Sequence, residues 1–130
     1  MSNILTAFND HFIEFINDVH LVFPEDADIL SAKNALIAIR KANPKMIVKI
    51  WNAFIVGKYR SEIAAGNLDF FVNKDYSQDM SNAANSDKIM DSIDRLRAPI
   101  KNMTSENQAK VMKYIQNLTK LAELCVHLNL

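Results

Sequence analysis

The stretch Met46-Ile-Val-Lys-Ile-Trp-Asn-Ala-Phe-Ile-Val56 decides the fold. Nine of its eleven residues are apolar, and only Lys49 and Asn52 are polar. A helix that is apolar almost all round is a buried one. The run is also well short of the ~18 apolar residues that cross a bilayer. It reads as the central helix of an all-α bundle of about five helices, with Trp51 and Phe54 as its largest core residues. Asn43-Pro44 stands before it. Asn43 can cap, and Pro44 suits a first helical position. The helix is expected from Pro44 to about Tyr59. Gly57 ends it, or it continues to Ala65 and stops at Gly66 in a left-handed cap.

Outward from this stretch, apolar residues recur at spacings of three and four, the period of amphipathic helices. Residues 3–21 carry the stripe Leu5, Phe8, Phe12, Phe15, Ile16 and Val19, and Phe23-Pro24 stops that helix. A second helix opens within Glu25-Asp26-Ala27-Asp28, where acids suit an N-terminus, and runs to about Ala42 with Ile29, Ala32, Leu36 and Ile39 inward. Periodicity weakens over residues 67–85. There Leu68, Phe70, Phe71, Val72 and Tyr76 are expected to dock on the core, and residues 77–86 read as a polar loop. A helix over residues 86–98 turns Ile89, Ile93 and Leu96 inward and is ended or kinked by Pro99. The last helix starts at Ser105, whose side chain forms a capping box with Gln108. It runs to about Leu128 with Val111, Ile115, Leu118, Ala122 and Cys125 on one face. No repeat or second domain interrupts residues 1–130.

Composition bounds what such a domain can do. The 130 residues are 49% hydrophobic and 23% charged, which excludes wholesale disorder. Two glycines exclude P-loops and Rossmann fingerprints, and one cysteine excludes a disulfide framework or a Cys-rich zinc site. No leader and no spanning segment is visible, which predicts a cytoplasmic, reducing compartment and no membrane partner. Asn, Ile and Lys are abundant and Lys outnumbers Arg, a usage that matches an AT-rich genome.

Catalytic and metal chemistry find little support. Cys125 and His127 stand at i and i+2, so on a helix they point apart and form no dyad. Cys125 shares the apolar face and reads as a buried thiol. His11, Glu14 and Asp18 at i, i+3 and i+7 reach one helix edge, but one His-x-x-Glu copy lacks the duplicated ligand set of a di-metal bundle, so they read as solvated polar groups. Asp75-Tyr-Ser77-Gln-Asp79 opens like a calcium loop, yet Met80 replaces the required glycine and Ser86 the bidentate glutamate. No catalytic residue, metal ligand or cofactor is therefore assigned.

Charge is the informative feature. Fifteen basic and fifteen acidic residues cancel, but they alternate in blocks. Residues 1–28 hold six acids and no Lys or Arg, and residues 33–60 hold seven bases and no acid. Asp10, Glu14 and Asp18 make one ridge at i, i+4 and i+8, where like charges cost an isolated helix a few tenths of a kcal/mol per pair, on the order of 0.2–0.5. Either the chain's own Lys-rich helices or a partner protein relieves it. On the next helix Lys33, Ile37, Arg40 and Lys41 form a basic face with an apolar residue inside it, the layout of an anchor for a partner. These seven residues are the candidate partner-binding set. The runner-up is nucleic acid, bound through phosphates by Lys33, Arg40, Lys41, Lys45 and Lys49 with Arg95, Arg97 and Lys101. Zero net charge argues against strong non-specific binding. An enzyme of unassigned class comes third.

Three stretches carry a family likeness. They are His11-Phe-Ile-Glu-Phe-Ile-Asn-Asp-Val-His-Leu-Val-Phe-Pro-Glu-Asp26, then Ala42-Asn-Pro-Lys-Met-Ile-Val-Lys-Ile-Trp51 with Leu68-Asp-Phe-Phe-Val-Asn-Lys-Asp-Tyr76, and Met112-Lys-Tyr-Ile-Gln-Asn-Leu118. Together they resemble short, uncharacterised helical proteins of nucleocytoplasmic large DNA viruses of algae and protists. The shared motifs are caps and core patterns, so the resemblance carries over no activity and no site residue. It implies a virion component or a factor acting in infected cytoplasm. The overall expectation is a non-catalytic interaction or assembly protein that binds a protein partner or itself.

Overall fold

In the computed structural model the described residues are 3–73 and 84–127. Among them every regular element is helical: α1 (Asn3–Val22), α2 (Ala27–Ala42), α3 (Met46–Ile50), a π-helical turn (Trp51–Val56), α4 (Gly57–Ala64), α5 (Asp69–Asn73), α6 (Ala84–Lys101) and α7 (Ser105–His127). From α3 to α4 the helix is unbroken apart from a kink at Tyr59. The described residues thus form five long helical rods, with α5 as a short extra turn.

The apolar stripes account for the packing. All six predicted inward residues of α1 are buried, as are the five of α7 and Ile89, Ile93 and Leu96 of α6. On α2, Ile29, Ala32 and Leu36 are buried and Ile39 is half-buried against them. One core gathers residues from every element, including Ile63 of α4 and Phe71 of α5. α2 lies mainly on α6, and α1 mainly on α7.

The middle rod sits against α1 and α7. Trp51 is 1% exposed and meets Phe12 edge-on at 5.5 Å and Phe8 at 6.4 Å. Such ring pairs add about 0.5–1.5 kcal/mol each beyond area burial. The Trp51 indole N–H donates to Thr119 Oγ1 at 3.3 Å, which satisfies its one buried donor. Asn52, a polar interruption of the apolar run, donates Nδ2–H to the Ala122 carbonyl at 3.0 Å. In return Gln116 Nε2–H donates to the Ile63 carbonyl at 2.9 Å. Phe54, expected as a core residue equal to Trp51, is only half-buried, because the rod turns Ala53 and Phe54 toward its outer side.

Several ends differ from the sequence expectation in instructive ways. Asp26 caps α2 as expected, its Oδ1 accepting from the Asp28 and Ile29 amides at 2.8 and 3.1 Å. α3 starts at Met46, because Pro44 and Lys45 are spent in a turn closed by the Met46 amide on the Asn43 carbonyl. The rod passes Gly57 in helical conformation and stops at Gly66, whose φ of 74° is the left-handed cap. At Gly57 the constraint is space: a Cβ there would lie 3.3 Å from the Asn52 carbonyl oxygen, to which the Gly57 amide donates across the π turn. α6 runs through Pro99 to Lys101. It opens at Ala84, so the polar loop expected over 77–86 overlaps its first three residues; the rest of that loop, with Tyr76 and the calcium-like run, lies outside the described residues. α7 does begin at Ser105, but Thr104 is its cap, with Oγ1 accepting from the Asn107 amide at 3.2 Å. The Gln108 side chain instead donates to the Ile100 and Lys101 carbonyls at the end of α6. Ser105 is one residue too late to cap.

Candidate partner-binding surface

The acidic ridge of α1 is the crest between two grooves. Toward α2 the groove floor is Leu5, Ile13 and Ile37, with Asn9, Arg40 and Lys41 at its sides. Toward α7 the other groove lies between His11, Glu14 and Asp18 on one bank and Lys110, Lys113 and Tyr114 on the other. An adjoining cavity shares Asp18, Lys110 and Tyr114 with it and is also lined by Leu21, Val22, Met103 and Asn107.

Of the seven sequence-derived candidates, the structure joins two directly: Arg40 Nη2–H donates to Asp10 Oδ1 across α1 and α2. Glu14 Oε1 lies 3.3 Å from His11 Nδ1 of its own helix. Asp18 accepts a hydrogen bond from the Tyr114 hydroxyl of α7. The like-charged ridge thus has a different neighbour at each step. Lys33 and Lys41 flank Ile37 on α2 and form no ion pair or hydrogen bond among the described residues. Lys33 and Ile37 are half-buried and Lys41 is exposed.

Tyr114 and its lysine neighbours are functional candidates that sequence reasoning missed. The Tyr114 ring stacks 4.8 Å from His11 and 5.4 Å from Phe15, and so continues the ring series that starts at Trp51. Burial, together with the carboxylates of Asp18 and Glu14, pushes its phenol well above the usual tyrosine range. The signal was present as polar residues at i, i+3 and i+7 along α7 (Lys110, Lys113 and Asn117), but only the fold shows that they border the acids of α1.

Each arginine is in an ion pair: Arg40 with Asp10, Arg60 with Glu123, Arg95 with Asp28 and Asp91, and Arg97 with Asp94. Arg95 is raised further above its usual range by its hydrogen bond to Asp91 and the nearby carboxylates. Three of the arginines named for phosphate contact, Arg40, Arg95 and Arg97, are therefore engaged within the fold. Cys125 is buried, which pushes its thiol up, while His127 is exposed two residues on. Among the described residues no three His, Cys, Asp or Glu side chains gather as metal ligands, and no helix is long and apolar enough to cross a membrane. Comparison with protein-family models, curated proteins and solved structures finds no match to this chain.

Proposed function

We propose that this chain is a non-catalytic interaction or assembly protein that engages a protein partner through the outer side of α1 and α2. The observation that carries this reading is the α2 stripe. Ile37 lies in an open groove beside α1, and Lys33 and Lys41 on either side of it are uncommitted within the fold. An apolar anchor with charges around it is how small interfaces obtain both affinity and orientation. The resemblance to helical proteins of large DNA viruses supports placing such a module among virion components or accessory factors. The test is quantitative co-purification with a Lys33→Glu/Ile37→Ala/Lys41→Glu variant. The expected result is loss of the partners that wild type retains, with helicity and melting unchanged. Equal retention by both chains would refute the surface.

A second reading has its own support. Lys33, Lys41, Lys45 and Lys49 stay uncommitted, which is what phosphate contact needs. It predicts retention on DNA or RNA at low salt that falls steeply toward physiological salt. Absence of retention at low salt removes it.

A further inference from the structure

We infer that the α1/α7 groove is a self-association face, occupied by a second copy of this chain with the twofold axis running parallel to the groove. This rests on the reading of the α1 ridge as a contact surface and names its partner.

Three observations converge on it. First, the two banks carry opposite charge. Glu14 and Asp18 line one side and Lys110 and Lys113 the other, all four exposed. The two lysines make no ion pair among the described residues, so the banks face each other without neutralising each other. Second, the acidic bank ends in apolar surface. Leu21, one turn beyond Asp18, is 78% exposed, the most exposed large hydrophobic residue among those described, and Val22 beside it is 39% exposed. Third, these apolar residues line, together with Met103, a cavity that adjoins the groove and shares Asp18, Lys110 and Tyr114 with it.

Symmetry then selects the occupant. A twofold axis lying in the interface and parallel to the groove exchanges its banks. Glu14 and Asp18 of one copy then face Lys110 and Lys113 of the other, and Leu21 faces the second copy's Met103. An axis across the groove would set acid on acid and lysine on lysine. The face is thus complementary to itself in one arrangement only. A groove with a single sign of charge would not be, and the α1/α2 groove has its acid, Asp10, already committed to Arg40. The same axis keeps α1 antiparallel to the second copy's α7, which favours the helix dipoles as well.

The experiment is a charge-swap series in analytical ultracentrifugation at low ionic strength. Wild type is expected to pass with concentration from 14.8 kDa to twice that mass. Lys110→Glu/Lys113→Glu makes both banks acidic and is expected to weaken self-association about tenfold or more, as does Glu14→Lys/Asp18→Lys, which makes both basic. An equimolar mixture of the two variants is expected to restore the dimer. Should Glu14→Lys/Asp18→Lys fail to fold for want of the Tyr114 acceptor, Lys110→Glu/Lys113→Glu and Leu21→Asp carry the test, since all three side chains are exposed. A wild-type chain that stays at 14.8 kDa at every concentration, or charge-reversed variants that dimerise as well as wild type, would overturn the inference. The Lys33→Glu/Ile37→Ala/Lys41→Glu chain is expected to dimerise normally, so failure of this inference and failure of the α2 contact surface are told apart.

Discussion

On its α2 side the acidic ridge of α1 is met by the guanidinium of Arg40, and on its α7 side by the neutral hydroxyl of Tyr114. Both flanks remove an unpaired acid, but they leave different remainders. The ion pair on the α2 side satisfies charge with charge and leaves Lys33 and Lys41 over. The tyrosine on the α7 side donates a hydrogen bond and leaves the charge of Asp18 in place, so acid and the lysines of α7 both persist across the groove. A ridge that looks uniform in sequence is therefore two surfaces in the fold, one whose acid is paired with its own arginine and one still open in charge.

The largest expected effect tests what holds the α7 flank. Trp51 fastens the middle rod to Phe8 and Phe12 of α1 and to Thr119 of α7. Trp51→Ala should cost about 3–5 kcal/mol through the cavity it leaves, measured by urea denaturation. A loss under about 1 kcal/mol would mean that the ring is not the anchor of that flank. On the other flank the strongest local device is the cap of α2. Asp26→Ala leaves the Asp28 and Ile29 amides without their acceptor and should cost about 1 kcal/mol.

Tyr114→Phe sharpens the comparison directly. Its bond to a carboxylate is a strong type, but the side chain is only half-buried, so the loss should be about 1 kcal/mol. Because the phenol is pushed above its ordinary value of 10.0, the stability it lends is complete below that pH and is lost as alkali ionises it. In a phenolate absorbance titration Tyr114 should be among the last tyrosines to ionise, and that late step should vanish in Tyr114→Phe. The smallest effect is expected for Asp10 and Arg40. Both are partly in water, so a double-mutant cycle should give a coupling below about 1 kcal/mol. A larger value there than for Tyr114 with Asp18 would reverse the ranking of the flanks.

Much of the fold was legible because burial imposes a period. The stripes on α1 and α7 are inward residues recurring every three or four positions, and each is buried as its spacing required. The middle rod was legible as buried but not in its detail. Where nine of eleven residues are apolar no face is marked, so neither the π turn at Trp51–Val56 nor the half-exposed position of Phe54 could be read from the pattern. Caps failed by one residue at Thr104, since Thr104 and Ser105 are equivalent by chemistry and only backbone geometry chooses between them. At the surface the acids of α1 and the bases of α2 were visible, whereas the pairing of Asp10 with Arg40 and the meeting of Asp18 with Tyr114 join residues 30 and 96 positions apart. Contacts at that separation depend on how whole helices stack, which local pattern does not encode.

The interior around Trp51 holds the helices together, and the outer charges are what we propose acts on a partner. Trp51 is the chain's single tryptophan, so its fluorescence reports on that interior alone. The measurement is emission and acrylamide quenching of a chain carrying Lys33→Glu, Lys41→Glu, Lys110→Glu and Lys113→Glu together, set beside wild type. The same blue, poorly quenched emission is expected from both. Red-shifted, freely quenched emission from wild type would contradict it, as would a shift to such emission on reversing the four outer charges.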